Sequence, residues 1–284
     1  RPGTTRLKSK GWVMVGAEQG RAAHADAGAA SAVAGMIEIR HVADDQARAA
    51  YDALYAHAGI QNLVGHLGWL LDQVEARPGL RLLDVACGEG ELVRLARRRG
   101  LAAQGVDLSQ VALSRGRDGL APGVLVAADG TALPFPDGCF QRLTSVGSLE
   151  HYADMEAGLR EMARVLDPDG RALILVPNSF GLRWNALHVW RTGDVHDDGQ
   201  PIQRYGTRRQ WQRLIEASGL RVLRCVGSEG AEGASLGGKD LWGLLRHPSR
   251  LLALAASRLP VDLASMLVFV CGRASTIGPG AAQG

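Results

Sequence analysis

Apolar and polar positions follow two rhythms along this chain, and the switches between them predict its elements. In IQNLVGHLGWLLDQVEA (60–76) apolar residues fall at 60, 63, 64, 67, 70, 71 and 74, the spacing of one helix face. YDALYAHAG (51–59) also reads as helix, and Arg-Pro-Gly at 77–79 is expected to end the helical stretch. LRLLDVA (80–86) is a short apolar run beside glycine and reads as a buried strand. EGELVRLARRRG (89–100) returns to helix, with Glu at its start, Arg at its end and Gly100 as its stop, as the helix dipole favours.

The alternation then repeats. LAAQGVD (101–107) is a strand, and SQVALSRGRDG (109–119) a helix with Ser109 at its N-cap. GVLVAAD (123–129) and CFQRLTSV (139–146) are strands. DMEAGLREMARVL (154–166) is a helix with Met155, Leu159, Met162 and Leu166 on one side, and GRALILVPN (170–178) is the fifth strand. TRRQWQRLIEASG (207–219) carries a capping box, Thr207 with Gln210, and an apolar stripe at Trp211, Leu214 and Ile215. LRVLRCVG (220–227) and SMLVFVCGR (265–273) bring the strands to seven.

Such alternation predicts an α/β fold: a mainly parallel sheet with helices on both faces. In sheets of this kind ligands bind beyond the carboxyl ends of the strands. Asp84, Asp107 and Asp129, at the ends of the first three strands, are therefore expected to face one crevice.

Charge and composition narrow the partners. Residues 1–35 hold five basic and two acidic side chains, which accounts for the whole net charge of +3. The body is neutral and offers no electrostatic footprint for nucleic acid. No window supplies the ~18 uncharged apolar residues of a membrane span. Cys87, Cys139, Cys225 and Cys271 are widely spaced without a CxxC pair, which reads as free buried thiols and a cytoplasmic protein.

The turn after the first strand, DVACGEG, is the place to look for a ligand. A dinucleotide corner needs a third glycine where Val93 stands, and no Gly-Lys-Ser/Thr phosphate loop is present. Glu89 and Glu91 flank the helix start, where a pyrophosphate would sit. S-adenosylmethionine (SAM), with a sulfonium and an ammonium against one carboxylate, suits acidic strand ends better. Asp107 is placed to accept both ribose hydroxyls and Asp129 the adenine amino group.

These motifs resemble a family. DVACGEG, GVDLS, AADGTALPFPDGCF and SLEHYAD followed by LREMARVLDPDGRALILVPN, from Leu82 to Asn178, are similar to the class I SAM-dependent methyltransferases of the type 11 (ubiquinone/menaquinone-biosynthesis-like) group. The resemblance implies a Rossmann-like seven-stranded sheet of order 3-2-1-4-5-7-6 with the last strand antiparallel. It implies that Asp84, Ala86, Cys87, Gly88 and Gly90 cradle the methionine moiety, and that Asp107 and Leu108 hold ribose and adenine. Asp129 and Gly130 would hold the adenine edge, with Ser145 and Val146 beneath the sulfonium. The chain departs from the family at Ala86, in place of a frequent glycine, at Gln141, where Asp is common, and at Asp169 in a Pro-Gly-Gly turn.

By the same resemblance the chain transfers methyl from SAM, leaving S-adenosylhomocysteine (SAH), to a small organic acceptor through an O-, C- or N-nucleophile. The alternatives are a nicotinamide-dependent oxidoreductase and a SAM- or SAH-binding protein without transferase activity. A general base is needed only for a protonated nucleophile; the candidates are His151, after the cofactor crevice, and His188. Each has a plainer reading as a locally bonded or lid residue. His196-Asp197-Asp198 lacks a second ligand cluster, so no metal is expected. Tyr51 and Tyr55 either close over the cofactor or pack between helices.

The expected organisation is a basic leader at 1–35, a helical cap at 36–79 and a SAM-binding core at 80–178. A substrate lid follows at 179–206, with Trp184, Trp190 and Tyr205. The rest of the sheet spans 207–274, with an amphipathic insertion at about 239–259, and a tail occupies 275–284.

Overall fold

The computed structural model describes residues 33–57, 64–230 and 260–274. The expected leader up to residue 32, the insertion at 239–259 and the tail at 275–284 lie outside the described residues.

In chain order the elements are β1 (Ile37–Arg40), α1 (Ala47–His57), α2 (Val64–Gln73), β2 (Arg81–Val85), α3 (Glu91–Arg98), β3 (Ala102–Asp107), α4 (Gln110–Gly116), β4 (Leu125–Ala127) and β5 (Phe140–Val146). There follow α5 (Met155–Val165), β6 (Leu166–Pro177), α6 (Leu187–Thr192), β7 (Ile202–Tyr205), α7 (Arg208–Ala217), β8 (Leu220–Ser228) and β9 (Met266–Arg273). Seven of the strands form one sheet in the order β4-β3-β2-β5-β6-β9-β8. Strands β2 to β6 pair in parallel, and β9 runs antiparallel to both β6 and β8. Counting only this sheet, that is the expected 3-2-1-4-5-7-6.

Strand pleating explains why the sheet is buried on both faces. Adjacent residues point to opposite sides, so Leu83, Ile174 and Phe269 join one core with Leu159 and Met162 of α5 and Trp211 and Leu214 of α7. Leu82, Leu173 and Val268 join the other, with Leu70 and Leu71 of α2, Val93 of α3 and Leu113 of α4. The helix ends match their sequence signals. Ser109 accepts from Ala112 N at the start of α4, and Thr207 and Gln210 form the reciprocal capping box of α7.

Three expectations need correction. The cap at 36–79 is not purely helical, and it pairs with the segment expected as a lid at 179–206. Each contributes one strand, β1 and β7, to a separate antiparallel ribbon with Ile37 opposite Tyr205. Glu38 and Arg204, 2.7 Å apart, tie the ribbon together. Helix α2 ends at Gln73, before Arg77-Pro78-Gly79, because Glu75 turns the chain at φ 53°. Of the four thiols, only Cys271 is fully buried. All four are free.

Candidate functional site

The β2–α3 turn is built from residues in the left-handed region. Ala86 has φ 58°, Gly88 φ 54° and Gly90 φ 75°. Glycine adopts such angles at little cost, and alanine does not. The turn lets the chain double back at the carboxyl edge of the sheet, so its backbone faces the strand ends. Gly90 serves as the N-cap residue of α3. Val93 of α3 can approach the sheet because β3 carries Gly105; a Cβ there would stand 2.9 Å from the Val93 methyl and 2.6 Å from the Cys87 sulfur. The glycine that permits close helix–strand packing thus lies on the strand.

The turn opens into a cavity of about 540 Å³, a size suited to one small ligand. Asp84, Ala86, Cys87, Gly88, Asp107, Leu108, Asp129, Gly130, Val146 and His151 all line it. Gly90, Ser145 and His188 do not. Gly90 shapes the turn from behind, and Ser145 is buried with its hydroxyl 2.8 Å from that of Ser148, which does reach the wall. His188 lies on α6, with its ring 5.3 Å from His196 and away from the cavity wall.

The carboxylates are held in place. Asp84 accepts the Thr144 hydroxyl at 2.6 Å. Burial pushes its carboxyl up to about 7; the Thr144 bond opposes this and nearby Asp107 adds to it. Asp107 accepts the N–H of Gly88 at 2.7 Å on one oxygen and that of Ser109 at 2.8 Å on the other. The carboxylate keeps lone-pair capacity for a ligand hydroxyl. Asp129 is exposed at the rim and accepts from Thr131 N and Oγ1, both at 2.8 Å. Asp44, Glu89, Glu91 and Asp154 also line the wall, and among the described residues no lysine or arginine does. Such a wall attracts cations and opposes anions.

His151 is buried, and its Nδ1 meets the Ile202 carbonyl. A carbonyl only accepts, so Nδ1 carries the proton and Nε2 keeps its lone pair in the neutral ring. Burial lowers the imidazole pKa, with the Ile202 bond opposing it. Glu150 approaches Nε2 to 3.9 Å, and burial raises its carboxyl to about 8.

Tyr51 and Tyr55 both line the cavity from α1. The sequence reading overlooked Tyr152, His66 and Met266, which also reach it. Tyr152 owes its place to two glycines. Its side chain lies between Gly130 and Gly158, where added Cβ atoms would stand 2.0 Å from its hydroxyl and 2.6 Å from its ring. Of the expected lid, Tyr205 is buried and hydrogen-bonded to the His196 carbonyl at 2.9 Å, whereas Trp190 stays 81% exposed. Asp197 pairs with His41 at 3.0 Å, and no group of three metal-ligating side chains occurs among the described residues.

Known proteins resemble this chain in sequence and in fold. Residues 83–174 match the family model described as a methyltransferase domain. The chain is 33% identical over 135 residues to 27-O-demethylrifamycin SV methyltransferase of Amycolatopsis mediterranei, covering 44% of this chain and 50% of that protein. It is 36% identical over 112 residues to the ubiquinone/menaquinone biosynthesis C-methyltransferase UbiE of Bordetella avium, covering 37% of this chain and 44% of that protein. The chain thus spans about half the length of the curated relatives it matches. Among solved structures, a SAM-dependent methyltransferase from Mesorhizobium loti superposes with TM-score 0.53 at 18% identity, covering 74% of this chain and 98% of that one. The cyclase SpnF does so with TM-score 0.55 at 20% identity, covering 83% and 98%. At such identities the likeness is one of fold.

Proposed function

We propose that this chain, which carries a methyltransferase-family domain at residues 83–174, binds SAM and transfers its methyl group to a small organic acceptor. The observation that carries this reading is the meeting of Asp84, Asp107 and Asp129 with the Ala86–Gly90 turn at one cavity whose wall holds no lysine or arginine. When bound, SAM supplies a methyl group on a cationic sulfur. Asp107 would hold the ribose hydroxyls with its free lone pairs, and Asp129 with Gly130 the adenine edge. Asp84 and the turn would face the methionine half, with its ammonium. The same wall argues against the nicotinamide alternative, whose pyrophosphate would meet Glu89 and Glu91 at the start of α3.

The acceptor half of the cavity is walled by Tyr51, His151, Leu175 and Met266, a mixture of aromatic, apolar and proton-handling groups. We assign His151 as the general base for a protonated nucleophile. Neutral, with its Nδ1 proton fixed on Ile202, it offers Nε2 to a hydroxyl. His188, outside the cavity wall, has no direct part in this scheme. The named relatives act on O- and C-nucleophiles of small molecules, and the same classes are proposed here. Nucleic acid is not expected to be a substrate, because its phosphates would face the same carboxylates. No helix of the described residues is long and apolar enough to cross a membrane. The free thiols favour a reducing cytoplasm.

Transfer of tritium from methyl-labelled SAM to panels of phenols, quinols, alcohols and amines tests the reading. Turnover by the wild-type chain supports it. His151→Gln should lower transfer to a hydroxyl acceptor by roughly 10²–10⁴-fold while SAH binding persists. SAM binding without transfer to any acceptor would favour a SAM-binding protein.

A further inference from the structure

Helix α1 forms one wall of the cavity, yet little apolar burial holds it there: of its residues only Tyr55 is buried. Its fastenings are polar. The Asp52 carboxylate accepts the Ser109 hydroxyl at 2.5 Å and the Val111 N–H at 3.3 Å. One turn further along, the Arg115 guanidinium donates to the Tyr55 carbonyl, and its Nε lies 3.0 Å from Glu89 in the β2–α3 turn.

Both fastenings reach the cofactor side of the fold. Ser109, which gives its hydroxyl proton to Asp52, also donates its N–H to Asp107 at 2.8 Å. The attachment of α1 and the bracing of the proposed ribose carboxylate therefore share one residue. At the other end, the Tyr55 hydroxyl lies against the turn, 2.7 Å from where a Cβ on Gly88 would be. Tyr51 and Tyr55 line the cavity, whereas Asp52, Ser109 and Arg115 do not.

We infer that Asp52 and Arg115 are positioning residues that latch helix α1 over the bound nucleoside and set how fast it leaves. The inference rests on the methyltransferase reading above. Freeing α1 would swing Tyr51 and Tyr55 away and open one side of the cavity. Coupling runs both ways: a ligand that holds Asp107 steadies Ser109, and through it Asp52.

The test is the release of tritiated SAH from the folded protein, chased with excess unlabelled SAH. Asp52→Ala and Arg115→Ala should each release it on the order of tenfold faster, the loss expected of one hydrogen bond. Asp52→Asn keeps an oxygen for the Ser109 hydroxyl and should release SAH near the wild-type rate. That rescue separates positioning from mere destabilisation. The pair Asp52→Ala with Ser109→Ala should release no faster than the faster single variant. Folded variants that release SAH at the wild-type rate would overturn the latch alone. A wild-type chain that fails to retain SAH would overturn the methyltransferase reading, and the latch with it.

Discussion

Ala86 is held at φ 58°, where a Cβ crowds the following carbonyl. Ala86→Gly should therefore raise stability by about 1 kcal/mol in denaturant unfolding, the strain relieved outweighing the added freedom of the unfolded chain. The sign is the point: a truncation normally costs stability, and here it is expected to restore some. Asp84 offers a second test. Burial holds its carboxyl up at about 7, so the native state keeps a proton that the unfolded chain releases near the usual carboxylate value. Stability from this group therefore falls as pH rises from about 4 to about 7 and is level above. A cationic ligand favours the ionised form. SAM affinity should rise with pH by up to about tenfold per unit below 7 and level off above it, and Asp84→Asn should flatten that slope in calorimetry. At this scale much of the cavity wall was legible. Strand-end aspartates and turn glycines are short-range signals, readable without knowing the fold. Tyr152 was not read because its place depends on Gly130 and Gly158, which are missing side chains rather than visible ones.

Elements are joined here by close backbone approach as much as by apolar stripes. A Cβ at Gly116 would stand 2.2 Å from the Glu89 carbonyl oxygen, so helix α4 can press against the β2–α3 turn only as glycine. Gly116→Ala should cost about 1–3 kcal/mol in chemical denaturation and weaken SAH binding, because the obstructing atom is backbone. Thr207→Ala, which breaks the capping box of α7, should cost about 1 kcal/mol and leave SAH binding unchanged, since that helix lies away from the cavity wall. The seven sheet strands and the helices between them followed from periodicity and caps. The β1–β7 ribbon did not. Each of its strands has four residues, too few for alternation to register, and the partners are far apart in the chain. For the same reason the cap and lid read as separate pieces, although Arg204 pairs with Glu38 and also donates to the Tyr152 carbonyl.

Across the whole molecule, sheet order decides where chemistry can happen. The order β4-β3-β2-β5 brings three acidic strand ends side by side, next to the turn where the chain reverses direction across the sheet. The order itself came from family resemblance, because periodicity locates strands without saying which are neighbours. The sign of charge that the cavity wall favours was readable from the residues alone, since no basic side chain accompanies these aspartates in their motifs. The acceptor was not readable. The half of the cavity proposed for it is assembled from α1, the segment after β5, β6 and β9, far apart in sequence and without a shared motif. Calorimetry with SAM, SAH and NADH tests the central claim most directly. Saturable heat from SAM and SAH, lost in Asp107→Ala and absent for NADH, is the expected result. Binding of NADH in this cavity, or indifference to SAM at millimolar concentration, would contradict it.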